Sequence, residues 1–142
     1  MMRVLVAAGL VAGGLAVAGC DGGQAPSNVG YPEVRAAMDG GDVAAFDRYK
    51  GEAVRWTGQV VEARRRFGDD YAEEGVLFVD MDAAARSGET EPEPDVTFLI
   101  PPSKVPEMTA GEPVTFVAVV REIERGAAGE RLLRLELKDL ED

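Results

Sequence analysis

The chain has 142 residues, enough for one domain and too few for two of ordinary size. It contains no histidine and a single cysteine, so once that cysteine is consumed it has no Ser-His or Cys-His pair and no His-rich zinc site. With 15 basic residues against 26 acidic ones the net charge is −11, a balance that repels phosphate backbones and weighs against nucleic acid as a partner.

Residues 1–19 stand apart from any fold. Arg3 supplies a positive start, an uncharged apolar run follows from Val4 to Val17, and Val17-Ala18-Gly19-Cys20 comes directly after it. The run is shorter than the ~20 residues a membrane helix needs, which makes it a signal-peptide core. A plain secretory signal or an uncleaved anchor would leave the placement of the only cysteine unexplained. Val17-Ala18-Gly19-Cys20 resembles the lipobox of bacterial lipoproteins. That resemblance implies a diacylglyceryl group on Cys20, cleavage before it, and membrane attachment through acyl chains. Loss of Arg3 with no acid takes the mature charge to −12. Two or three acyl chains, at ~0.8 kcal/mol per buried methylene, suffice to hold such a protein on a bilayer. Asp21 resembles the inner-membrane retention signal of enteric-type lipoproteins and implies a place on the extracytoplasmic side of that membrane.

Residues 20–30 are rich in glycine, proline and small polar side chains, a flexible tether of ~17 Å typical span. A short helical segment is expected over 32–50 within a domain running over 31–142. Pro32 suits a first helical position, and Val34, Ala37 and Met38 follow at helical spacing before Gly40-Gly41. Asp42 is placed to cap a second helix in which Val43, Phe46 and Tyr49 share a face, with Gly51 ending it. Phe46 and Tyr49 are read as core, as apolar residues at helical spacing usually are.

The first strand, Glu52 to Arg66, alternates through Val54, Trp56 and Val60. It then shifts phase, so that Val61 and Ala63 become the apolar positions. Gly58 is the expected site of a bend that lets one strand serve two sheets. A turn at Gly68-Asp69-Asp70 leads to a second strand, Gly75 to Met81, with Leu77, Val79 and Met81 on one side and Val76, Phe78 and Asp80 on the other. Ala83 to Glu93 is a loop, broken by Ser87-Gly88 and two Glu-Pro pairs. The third strand runs from Val96 to Ile100, and Pro101-Pro102 stops it. Ser103 to Ala110 holds one helical turn or a loop. The fourth strand, Val114 to Glu124, is apolar on both faces through its middle and is therefore central or bent. A Gly126/Gly129 connection leads to a fifth strand that carries Leu133, Leu135 and Leu137 inward.

The segments Tyr49-Lys50-Gly51-Glu52-Ala53-Val54-Arg55-Trp56-Thr57-Gly58-Gln59-Val60 and Ala110-Gly111-Glu112-Pro113-Val114-Thr115-Phe116-Val117-Ala118-Val119-Val120 share the rhythm of OB strands one and four. Over roughly Tyr49 to Leu140 the chain resembles the tRNA-anticodon-binding-like OB modules of small envelope lipoproteins. The resemblance implies a mainly β fold, a five-stranded Greek-key barrel preceded by a short helical segment. The chain departs from that pattern between strands three and four, where Pro101, Pro102 and Pro106 stand in place of a regular helix.

An OB barrel meets its ligand on the outer face of strands two and three, which points to Phe78, Asp80, Thr97 and Leu99, with Arg55, Thr57 and Gln59 from strand one. Few aromatics and acidic loops speak against nucleic acid. Arg64-Arg65-Arg66 is the only basic cluster, expected to be solvated or paired with nearby acids such as Asp69 and Asp70. Asp80, Asp82, Glu89, Glu91, Glu93 and Asp95 fail the calcium-loop spacing, so no metal ligand is assigned, nor any cofactor or catalytic residue. Trp56 is expected to be a core anchor. The expectation is a non-enzymatic envelope module, lipid-anchored, that recognises another envelope protein or a glycan. The competing reading is a carboxylate-dependent enzyme on cell-wall carbohydrate.

Overall fold

The computed structural model describes residues 25–83, 92–126 and 129–141. Cys20, Asp21 and the segment expected to be a signal peptide lie outside the described residues, as does most of the acidic loop, including Glu89 and Glu91. Two short helices, α1 (Tyr31–Asp39) and α2 (Val43–Asp47), precede five strands: β1 (Ala53–Phe67), β2 (Glu73–Asp80), β3 (Val96–Ile100), β4 (Pro113–Arg125) and β5 (Arg131–Glu141). The strands close into a barrel in the order β1-β2-β3-β5-β4, with β4 pairing back onto β1. All pairings are antiparallel except β3 with β5. The fold is mainly β and OB-like, as the sequence implies.

The barrel is filled by the inward side of each strand, including Val54, Trp56, Leu77, Val79, Phe98, Phe116 and Leu133. Phe98 and Phe116 meet at its centre with ring centroids 4.7 Å apart, a spacing typical of stabilising aromatic pairs. Both barrel ends are covered. At one end Tyr31, Val34 and Met38 of α1 and Phe46 of α2 join the core, and Tyr31 packs edge-on to Trp56 at 5.6 Å. Arg131 Nη1 fastens α1 by donating to the Met38 carbonyl at 2.8 Å. At the other end lies a short 3-10 helix, Pro102–Glu107. Its Val105 sits over Gly75, where an added Cβ would come within 2.8 Å of the valine methyl, so only glycine fits.

Several local expectations need correction. The bend in β1 is not at Gly58: the register with β2 shifts between Val60 and Glu62, a bulge at Val61 that moves Ala63 onto the buried side. Gly58 instead serves close packing, since an added Cβ would collide with Val79, 2.8 Å from Met81 Sδ and 3.0 Å from the Asp80 carbonyl. Asp42 caps α2 as expected, its side chain accepting from Ala44 N–H, but that helix is a single turn and leaves Val43 72% exposed. The segment expected as a tether is seated on the barrel from Ser27 onward. Ser27 N–H donates to the Ala53 carbonyl at 2.7 Å, and Trp56 Nε1–H donates to the Val29 carbonyl at 2.9 Å.

Candidate functional site

The bulge at Val61 decides what the outer face of the barrel offers. Beyond it, alternation sends Arg64 and Arg66 outward, beside Phe78 of β2. There they border a groove of about 500 Å³ floored by Phe78, Thr97 and Leu99 and closed on the far side by Arg134 of β5 and Glu122 of β4. The Arg64 guanidinium lies over the Phe78 ring, 5.0 Å from its centroid, a cation–π contact that presents a flat, charged platform. Leu99 is 42% exposed, an apolar side chain held open on a strand. Parallel pairing of β3 with β5, Thr97 against Arg134, brings the Arg134 guanidinium to this face, where it pairs with Glu122.

The expected site residues fall into three groups, although Asp80 borders the same hollow of about 350 Å³ as Thr57 and Gln59. Phe78, Thr97 and Leu99 share the groove, with Thr97 almost covered. Arg55, Thr57 and Gln59 lie elsewhere, along the pairing of β1 with β4, and each is engaged within the chain. Arg55 holds Glu141 through two 2.7 Å bonds, Thr57 shares a 2.7 Å bond with Thr115, and Gln59 Nε2 donates to the Gly111 carbonyl at 2.9 Å. The bond from Arg55 holds the Glu141 carboxyl below the usual carboxylate range.

Asp80 requires a correction. Expected on the outer face, it is 1% exposed, because the strand ends there and its carboxylate turns to the loop. Its Oδ1 accepts from Asp82 N–H at 2.9 Å and its Oδ2 from Glu93 N–H at 3.3 Å. Asp95, also buried, accepts from Met81 N–H at 2.8 Å through Oδ2. The two carboxylates thus clamp both ends of the loop between β2 and β3, satisfying backbone donors that would otherwise be orphaned. Burial pushes the Asp95 carboxyl up to about 6, helped by the Asp82 and Asp80 charges and opposed by the Met81 N–H bond and Arg35. Among the described residues no group of three or more metal-ligating side chains converges.

The three arginines are exposed and pair with nearby acids, as expected, though with acids other than the two named. Arg65 and Arg66 pair with Glu73 and Glu74 across the hairpin, and Arg64 stands 3.8 Å from Glu62. Asp69 and Asp70 are not their partners in any of these pairs. The role of Arg64 could have been found from the shift of phase after Val60, which sets it on the Phe78 side. Arg134 had no comparable signal, because a parallel register between distant strands leaves no local pattern.

No family model and no curated protein matches this chain. Among solved structures it is similar to a protein named as a candidate nucleic acid-binding lipoprotein from Klebsiella pneumoniae subsp. pneumoniae MGH 78578. The identity is 16% and the TM-score 0.57, over 78% of this chain and 87% of that one. At that identity the likeness is one of fold. Among the described residues no helix is long and apolar enough to cross a membrane.

Proposed function

We propose that this chain is a lipid-anchored, non-enzymatic binding module of the cell envelope, tethered through Cys20 and held on the extracytoplasmic side of the inner membrane by Asp21. Its barrel docks another envelope protein or a glycan in the groove between β1, β2, β3 and β5. The observation that carries this reading is the Arg64–Phe78 stack lining that groove. An aromatic face beside a charge and an open leucine suits a partner that buries one apolar group and satisfies a few polar ones. The name of the structural neighbour supports a second reading, single-stranded nucleic acid stacked on Phe78. Against it stand the net charge of −11 and the pairing of Arg66 and Arg134 with carboxylates.

The deciding experiment is photo-crosslinking in cells from Arg66, exposed at the border of the groove. In parallel, the purified full chain is incubated with peptidoglycan sacculi and with a single-stranded oligonucleotide at physiological salt. A protein or sacculus partner that Phe78→Ala abolishes is the expected result. Oligonucleotide binding lost on Phe78→Ala would favour the second reading. Turnover of glycan with no partner recovered would replace binding by carboxylate chemistry, and Asp95→Asn would then test for it.

A further inference from the structure

The barrel is not equally closed all the way round. β3 pairs with β2 along its whole length, Val96 to Ile100. With β5 it shares only two residue pairs, Val96 with Leu133 and Thr97 with Arg134. β5 then continues for seven more residues, to Glu141, paired with β4 on one edge and, among the described residues, with no strand on the other. The two strands diverge past Thr97 and leave a seam.

Backbone alternation fixes what the seam presents. Thr97 aims its N–H and C=O at β5, so Leu99, two residues on, aims its own the same way, while Phe98 faces β2 opposite Leu77. On β5, Leu133 and Leu135 face β3 and Leu137 follows in phase. The edge groups of Leu99 and Leu137 therefore look into the gap. A hollow of about 380 Å³ opens there, lined by Leu99 and Leu137 among apolar residues and by Arg121, Glu122, Arg134 and Glu136. An open pair of strand edges beside an apolar floor is a template for a further strand.

We propose that the seam between β3 and β5 is a strand-addition site for an extended segment of a partner protein, basic in overall charge, with one apolar side chain set against Leu99. This deepens the binding-module reading and rests on it by naming the class of partner. The length follows from the seam, which β3 borders with three residues past Thr97, about 10 Å at ~3.3 Å each. Charge selects the occupant. Arg121 pairs with Glu136, and Arg134 with Glu122, so the lining is neutral in itself. The field of the whole chain, at −11, attracts a basic segment and repels a second copy of the chain.

The test begins with amide hydrogen exchange on the full chain. In the free protein the Leu99 and Leu137 amides should exchange at least ~100-fold faster than those of Leu77 and Phe98, which lie inside the β2–β3 ladder. The probe is then a synthetic peptide, Lys-Val-Lys-Val-Thr-Val-Lys, against the same peptide N-methylated at alternate residues. The unmodified peptide should slow exchange at Leu99 and Leu137, and the methylated one should not, because strand addition needs its N–H groups. Three outcomes overturn the proposal: the two amides already protected in the free chain, no response to the unmodified peptide, or an equal response to both. Protection that grows with protein concentration alone would assign the seam to a second copy and overturn it too. Phe78→Ala separates this from the groove reading. Loss of the crosslinked partner on Phe78→Ala with no peptide effect at the seam keeps the groove and rejects strand addition. A peptide effect with no Phe78-dependent partner does the reverse.

Discussion

Substitution at Gly58 discriminates between two accounts of why glycine stands in the middle of β1. The position is flanked by Val79 and Met81 of the neighbouring strand end, and an added Cβ would lie 2.8 Å from Met81 Sδ and 3.0 Å from the Asp80 carbonyl, with Val79 closer still. Met81 can swing away, but the Val79 side chain is fully buried and cannot. Overpacking of this kind costs ~1–3 kcal/mol, while replacing glycine by alanine at an ordinary extended position returns ~0.4–1 kcal/mol through the unfolded chain. Gly58→Ala should therefore destabilise by about 1–2 kcal/mol, and Gly58→Val by more. For a domain of this size, that lowers the thermal midpoint by roughly 4–12 °C. The informative assay is a cycle of Gly58→Ala, Val79→Ala and the double variant, followed by denaturant unfolding. If the clash with Val79 is the cause, trimming the valine makes room for the new methyl. The double variant should then be more stable than the sum of the singles by at least ~1 kcal/mol. Additive effects within ~0.5 kcal/mol, or a Gly58→Ala protein as stable as wild type, would refute the packing account.

Three further outcomes are expected, two from particular contacts and one from the proposed anchor. Asp95 sits in the folded chain at about 6 against an ordinary 3.8, so the folded state holds its proton more tightly. Its contribution to stability is thus fully present only below pH 3.8 and is lost as pH rises from there through about 6. Asp95→Asn should remove that component. Its stability relative to wild type, measured by urea unfolding, should rise by about 2–3 kcal/mol between pH 4 and pH 7, and a constant difference would contradict the cause. Trp56→Phe deletes the bond to the Val29 carbonyl. It should cost about 1 kcal/mol beyond the loss of ring area and speed proteolysis at residues 27–30 without unfolding the barrel. Cys20→Ala, or globomycin treatment, should move the protein out of the membrane fraction; retention there with unchanged mass would remove the lipoprotein reading.

The strands were legible because each is a local pattern. Leu77 and Val79 alternate with their neighbours, Pro101 and Pro102 end β3, and Gly126 with Gly129 mark the last hairpin, so boundaries read from the sequence fall within two residues of those observed. What was hidden depends on contacts between distant segments. The shift of phase in β1 was visible, but its cause was misplaced at Gly58, because a glycine packed against Val79 and a glycine at a bend look alike along the chain. Asp80 was set on the outer face by the same alternation that placed Phe78 there correctly. Alternation fails at the last residue of a strand, where the carboxylate can turn to backbone N–H groups of the loop. The seating of Ser27 and Val29 on β1 had no signal in a run of small and polar residues.

That seating bears on how the proposed anchor presents the barrel. Ser27 is bonded to Ala53, the first residue of β1, so the chain between Cys20 and the barrel comprises only seven steps. Fully extended, they reach at most ~25 Å. If Cys20 carries the proposed acyl chains, the end of the barrel near Ala53 stays within that reach of them. Arg64 and Arg66 lie eleven and thirteen residues further along the same strand, a contour of about 35–45 Å at ~3.3 Å per residue, reduced by the bulge and the coiling of a barrel strand. Under that proposed attachment the groove at Phe78 and the β1–β2 hairpin beyond it would face away from the bilayer. The fold and the short attachment together favour a partner that arrives from the compartment over one already lying in the membrane. Inserting residues between Cys20 and Ser27 should leave the crosslinked partner unchanged, whereas a membrane-embedded partner would be lost as the barrel moved outward.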